Sequence, residues 1–434
     1  MAAELLRDRL TRNKQGAGCG LYSVCSSHPR VLEAAMQQAL ADGSPLLIES
    51  TSNQVDQFGG YTGMTPDRFV AMVHETAAAM RFPRERLLLG GDHLGPNVWQ
   101  QEPAAAALAK AEEQVAAYVR AGYLKLHLDA TMACGDDTGP ALPPEVIAER
   151  TALLCAAAER AAQGRAEAPL YIIGSDVPIP GGAQHPLDHV EPTTVAAVEE
   201  CITLTRQAFH QRDLEAAWGR VIAVVVQPGV EFSHDHVVNY DRERARPLSR
   251  FIAGLPGLVY EAHSTDYQTG TALHQLVQDH FAILKVGPWL TYALREALFA
   301  LAEMETLWLG DRADSTPSRL VETIDAVMDR DPRFWKKHYH GTAAEVRFAR
   351  HYSYSDRIRY YWPDPAITAA VLHLQANLQR HPLPLTLISQ FLPDQYRAIR
   401  EGRLTNDPVA LVRHRIATVL GLYANATGST STSA

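Results

Sequence analysis

Residues 220–227 read RVIAVVVQ, 257–264 read GLVYEAHS and 281–287 read FAILKVG, and LTYALREALFALA follows at 290–302. The first three are short, largely apolar runs of the kind that fills a strand buried on both faces. In the fourth, Leu290, Ala293, Leu294, Ala297, Leu298, Leu301 and Ala302 recur at i, i+3, i+4 and i+7, which is one apolar stripe on a helix. Strand, crossover and strand in alternation mean parallel strands joined by helices. Working outward, five more such runs precede them: Gly20–Ser26, Pro45–Thr51, Arg86–Asp92, Tyr123–Thr131 and Pro169–Asp176. Helix-like segments such as 103–121 and 144–163 lie between. Eight strand–helix units predict an α/β fold, a (β/α)8 barrel over residues 1–309, with a doubly wound sheet as the alternative. From about Gly310 the strand pattern stops. Breaks at Pro332, Pro363, Pro365, Pro382, Pro384 and Pro393 predict a helical C-terminal extension over 310–427, and the small polar residues 428–434 predict a disordered tail.

Composition narrows the function. The chain has 434 residues, 46% of them hydrophobic and 21% charged, enough apolar residues for a large core. Forty Lys and Arg against 49 Asp and Glu leave a net charge of −9, which argues against a nucleic-acid-binding surface. The five cysteines include no CxxC pair, so neither a disulfide framework nor a thiolate zinc site is expected. No signal-peptide or membrane-spanning apolar run is visible, which predicts a cytoplasmic protein without membrane contact.

In a parallel barrel, catalytic groups come from the C-terminal ends of the strands. Here nearly every end carries one. Glu49 ends the second strand, Asp92 and His93 the third, His127 and Asp129 the fourth, and Asp176 the fifth. The sixth leads to Glu231, the seventh holds Glu261 and His263, and the eighth Lys285. Side chains two apart share a face, so His127 lies with Asp129 and Glu261 with His263. Any one of these histidines alone reads as a hydrogen-bonded core or rim residue. Jointly, His93, Glu231 and His263 converge on the mouth as a two-imidazole, one-carboxylate set with an open position for a divalent metal. Ser264 and Gly287 flank the same ends as candidate substrate contacts, with Glu49. In the tract SDRIRYYW at 355–362 the two arginines, Arg357 and Arg359, offer a phosphate or partner contact, Arg357 being the substrate-binding candidate, and a solvated, salt-bridged helix face is the favoured alternative. No glycine set matches a phosphate-binding loop or a dinucleotide fingerprint.

The strings YSVCSSHP (22–29), IESTSNQVDQFGGYTGMTP (48–66), GGDHLGPN (90–97), KLHLDAT (125–131), VVVQPGVEF (224–232), YEAHSTDYQT (260–269) and ILKVGPWLTYALREALFAL (283–301) closely resemble the GatZ/KbaZ-like family. SDRIRYYWP and SQFLP (389–393) extend the resemblance to nearly the whole chain. The resemblance implies a class II aldolase-like barrel and the Z-type subunit of D-tagatose-1,6-bisphosphate aldolase. That subunit serves galactitol, N-acetylgalactosamine and tagatose catabolism by stabilising a separate Y-type catalytic subunit in an oligomer. Some members are instead ketose or ketose-phosphate 4-epimerases. It also implies that Asp92 and His93 match a proton-transfer carboxylate and a metal ligand, and that His263 matches a second ligand. Where the aldolases use His on strand six and Asn on strand eight, this sequence offers Glu231 and Lys285. Zinc is the expected metal, with manganese, nickel or cobalt as alternatives.

A metal beside displaced acid and base groups suits reversible cleavage of the C3–C4 bond of a ketose. Asp92 would move the C4 hydroxyl proton, with Asp129 or Asp176 as the partner carboxylate. For Lys285 a phosphate contact, a proton donor and a Schiff base are all open, and an ion pair or a substrate hydroxyl contact is favoured. The first expectation is therefore the stabilising aldolase subunit, and the second a metal-dependent 4-epimerase acting alone.

Overall fold

The computed structural model describes residues 2–139, 141–175 and 190–428. Eight parallel strands close into a barrel: β1 Leu21–Cys25, β2 Leu46–Thr51, β3 Leu87–Leu94, β4 Lys125–Leu128, β5 Leu170–Ile173, β6 Val221–Val225, β7 Val259–Ala262 and β8 Phe281–Val286. Closure is made by β1 on β8, in a parallel register that runs from Leu21 opposite Ile283 to Val24 opposite Val286, so the open doubly wound sheet is set aside. Every residue of β2 to β8 is buried, as the apolar runs require when helices cover the outside and side chains fill the inside.

The helices follow local signals. Pro29–Asp42 begins at His28, whose side chain accepts from the Arg30 N–H, has Pro at its first position, and stops at Gly43 with φ 72. Its buried residues Val31, Leu32, Ala35, Met36 and Ala39 form the i, i+4 stripe that packs on the barrel wall.

Helix Ala2–Lys14 was not expected from the sequence. Its Leu6 and Leu10, one turn apart, join Leu21, Leu47, Leu88, Ile172, Ile222 and Ile283 in the lower barrel layer. Asn13 ties this end down by donating through Nδ2 to the carbonyls of Cys19 and Val277, both at 2.8 Å. With its floor plugged by leucine, the barrel opens at the C-terminal end of the strands.

Beyond residue 310 the described residues are helical, and they share the outer core of the barrel. The last helix, Pro408–Ala426, packs against Pro29–Asp42, Gly270–Gln278 and Pro288–Leu309. Its Leu411, Ile416, Val419, Leu420 and Tyr423 belong to the same hydrophobic cluster as Leu32 and Phe69 of the barrel helices. Two of the proline breaks, Pro365 and Pro393, are the first residues of helices. Residues 429–434 of the expected tail lie outside the described residues, and Gly428 is within them. No described helix is long and apolar enough to cross a membrane.

Candidate active site

A line of alternating charge runs through the barrel centre. Lys125 Nζ lies 2.5 Å from Glu49 Oε1 and 2.6 Å from Glu261 Oε2, and all three side chains are wholly buried. Lys285 Nζ then lies 2.5 Å from the other Glu49 oxygen and 2.6 Å from Asp92 Oδ1. The order is Glu261, Lys125, Glu49, Lys285, Asp92. Glycine makes the line possible: a Cβ on Gly90 would sit 2.5 Å from Glu49 Oε1, so this β3 position stays bare to admit the carboxylate. Burial alone would raise Asp92, but His93 and Lys285 hold it well below the ordinary carboxylate value. Burial would likewise lower Lys285, and the carboxylate of Asp92 reverses the effect and keeps it an ammonium.

Above this line Asp92, His93, His127 and His263 bring donor atoms within 4.8 Å of one another. His93 and His263 are each fixed through one nitrogen, and His127 through both. His93 Nδ1 meets Asp129 Oδ2 at 2.7 Å, and Asp129 also accepts from the N–H and hydroxyl of Thr131. His263 Nε2 meets Glu261 Oε1 at 2.9 Å. His127 Nε2 donates to the Gly174 carbonyl at 2.7 Å, which leaves Nδ1 to accept from the His93 N–H at 3.2 Å. Burial pushes His263 down to about 3, so its ring is neutral at ordinary pH. A neutral imidazole anchored by a carboxylate is the arrangement that metal-binding histidines adopt. His93 is likewise anchored by a carboxylate, though Asp92 and Asp129 outweigh burial and raise it, so it must release its proton for the two rings beside Asp92 to take a divalent cation. Strain is localised here as well, with His93 at φ 48 and Ser264 at φ 51 in the left-handed region.

The cluster opens into a cavity of about 110 Å³ lined by Ser27, Tyr61, Asp92, His93, His263, Asp266, Gly287, Arg359 and others. Arg359 and Tyr360 come from the C-terminal helices, on the short turn Arg357–Tyr360. The Arg359 guanidinium donates to the carbonyls of Ser355 and Asp356 and, at 2.9 Å, to the Tyr360 hydroxyl. Among the described residues no carboxylate pairs with it.

The sequence profile of the GatZ/KbaZ-like D-tagatose-1,6-bisphosphate aldolase subunits matches residues 6–428. The chain belongs to this family. It is 47% identical to a solved structure from Sinorhizobium meliloti 1021 named "probable tagatose 6 phosphate kinase", covering 94% of this chain and 100% of that one at a TM-score of 0.86. Similarity to the fructose-bisphosphate aldolase of Campylobacter jejuni is 12% identity over 91% of this chain and 95% of that one, at a TM-score of 0.44. For the YdjI aldolase of Escherichia coli K12 it is 8% over 83% and 94%, at 0.41.

In this GatZ/KbaZ-like barrel the expected site residues divide. Asp92, His93 and His263 meet, and Asp129 stands behind His93. Glu231 does not join them. It sits beyond β6 on a small hairpin, Glu231–Phe232 against Val237–Val238, where it accepts from the Ser264 hydroxyl at 3.2 Å and the Phe232 N–H at 2.9 Å. There burial pushes its carboxyl up to about 7. His127 is the third imidazole instead. Glu49 is no substrate contact either, because both its oxygens are engaged by lysines below the cavity. Ser264 and Gly287 do line the cavity, whereas Arg357 is buried and donates to the Phe334 carbonyl. The arginine facing the cavity is Arg359, and the tract is a buried turn rather than a solvated helix face. Asp176 lies outside the described residues. Lys125, the central cation, was missed, although i, i+2 spacing from His127 put it on the inward face.

Proposed function

We propose that the chain carries a catalytic centre of its own and reversibly cleaves the C3–C4 bond of a ketose or ketose phosphate. Re-addition after the aldehyde fragment turns over gives the C4 epimer. The observation that supports this reading is the Asp92, His93, His127 and His263 cluster, oriented from behind and opening into a cavity. His93 and His263 would hold the divalent cation beside Asp92, zinc first and manganese, nickel or cobalt as alternatives. When bound, that cation supplies Lewis acidity at the C2 carbonyl, which makes C3 a better leaving carbanion. Asp92, kept anionic by Lys285, takes the C4 hydroxyl proton as the bond breaks and returns a proton to the re-formed hydroxyl. Asp129 acts through His93, fixing its ring. Lys285 serves as a charged partner, since a Schiff base needs the neutral amine that its two carboxylates prevent. Arg359 is the cation available to a substrate phosphate. A kinase reading, which the name of the Sinorhizobium protein raises, finds no nucleotide-cradling glycine loop in the sequence.

The test is an assay of the purified protein, metal-supplemented, with fructose, fructose 6-phosphate, tagatose 6-phosphate and tagatose 1,6-bisphosphate. Epimer formation that a chelator removes is the expected result. Silence in all four would refute an independent centre.

A second reading, the Z-type partner of a Y-type catalytic subunit in cytoplasmic tagatose and galactitol breakdown, is favoured by a different observation. A groove of about 470 Å³ beside the mouth is lined by the partly buried Met64, Met72 and Val371 and the exposed Leu372, apolar surface of the kind that partners cover. Co-expression with a Y-type subunit and size exclusion tests it, and aldolase activity that rises only in the co-eluting complex would establish it.

A further inference from the structure

Helix Pro288–Leu309 points its N-terminus at the same cavity, and its first amides are already occupied. Asp266, 3% exposed, accepts at Oδ1 from the Gly287 N–H at 3.0 Å and the Trp289 N–H at 2.8 Å. The end of a 22-residue helix carries partial positive charge, and free amides there would cradle a phosphate. A carboxylate of the chain itself holds them instead. Its second oxygen, Oδ2, makes no hydrogen bond to the protein among the described residues, and Arg359, whose charge reaches Asp266 from the same cavity wall, makes no ion pair with it there. Lys285 is committed to Glu49 and Asp92.

A phosphate brought to this end meets a fixed negative charge in a desolvated wall, with the helix dipole already satisfied. A hydroxyl meets a buried acceptor that lacks a donor. We propose that Asp266 is a specificity-determining residue, seating a free terminal hydroxyl of the ketose through Oδ2 and excluding a phosphate from that end. The site then takes ketoses with at most one phosphate, at the opposite end, and rejects bisphosphates. This rests on the reading above only for the ketose. The occupied helix terminus stands without it.

The experiment is calorimetric titration of the metal-loaded full chain with fructose 6-phosphate, fructose 1,6-bisphosphate and inorganic phosphate, for wild type, Asp266→Ser and Asp266→Asn. Wild type is expected to bind the monophosphate at least about ten-fold more tightly than the bisphosphate. Asp266→Ser frees the two amides and should bring the bisphosphate level or better. Asp266→Asn keeps an oxygen on the amides, so the fold is preserved, and should narrow the gap by removing the charge. Wild type binding the bisphosphate as tightly as the monophosphate overturns the inference, as does a ratio unmoved in both variants. If no ketose binds wild type, the proposed function falls, and inorganic phosphate still decides the role of Asp266. Phosphate binding gained in Asp266→Ser and absent from wild type supports it, and no gain refutes it.

Discussion

Replacing Lys125 by methionine tests the ionic line directly. The two side chains are similar in length, so the change removes a charge and leaves little cavity. Lys125 meets Glu49 and Glu261 in a setting with no solvent access, and among the described residues those carboxylates are all its Nζ meets. After Lys125→Met, Glu49 keeps Lys285 at 2.5 Å, but Glu261 keeps only His263 at 2.9 Å, a neutral donor. One carboxylate is thus left buried without a cation, for which a loss of about 3–5 kcal/mol is expected. Adding Glu261→Gln removes that stranded charge, so the double variant should recover about 2 kcal/mol or more over Lys125→Met alone. The two changes are in contact and must couple. Urea unfolding followed by circular dichroism and tryptophan fluorescence reads both numbers from the transition midpoints. A Lys125→Met midpoint within about 1 kcal/mol of wild type, or a double variant no better than the single, would refute the pairing.

Other variants probe the rest of the architecture. His263→Ala should lose bound metal while keeping the barrel's circular dichroism, and normal metal content by elemental analysis would remove it from the ligand set. Asp129→Asn, which loosens His93 without touching the cavity, should weaken metal affinity by about 10–100-fold in a chelator competition. Leu6→Ala, at a wholly buried position in the plug, should cost about 2–5 kcal/mol in urea unfolding and leave metal content unchanged. The acid side follows from sign. Burial raises Glu261, but Lys125 outweighs it and holds the carboxyl below its ordinary value. Its contribution is therefore full above the ordinary carboxylate value and is lost as pH falls through the lowered one. Wild type should lose stability with falling pH across that window more steeply than Glu261→Gln, and parallel pH profiles would contradict the pairing.

What the sequence made readable was whatever depends on period. Strand alternation put Asp92, Glu261, His263 and Lys285 at the right ends, because side chains two apart must share a face and a closed barrel has one inside. The same rule reached Lys125 from His127, yet a lysine two residues into a strand reads as solvent-facing until Glu49 and Glu261 are known to sit opposite. That knowledge is three-dimensional, set by which strands neighbour β4 across the centre. Glu231 failed for a different reason. β6 ends at Val225, and the six residues to Glu231 are loop and hairpin, where no period carries a direction. The arginines differ by one turn chosen by the backbone: Asp356, at φ 43, starts a tight 3-10 turn that buries Arg357 and faces Arg359 to the cavity. A regular helix would have carried no such instruction. The consequence reaches past residue assignment. Because Arg359 and Tyr360 complete the cavity wall and Tyr423 bonds the Thr265 carbonyl at 2.7 Å two residues from His263, the helices after residue 310 are part of the site, and the strands before it supply only its floor and centre.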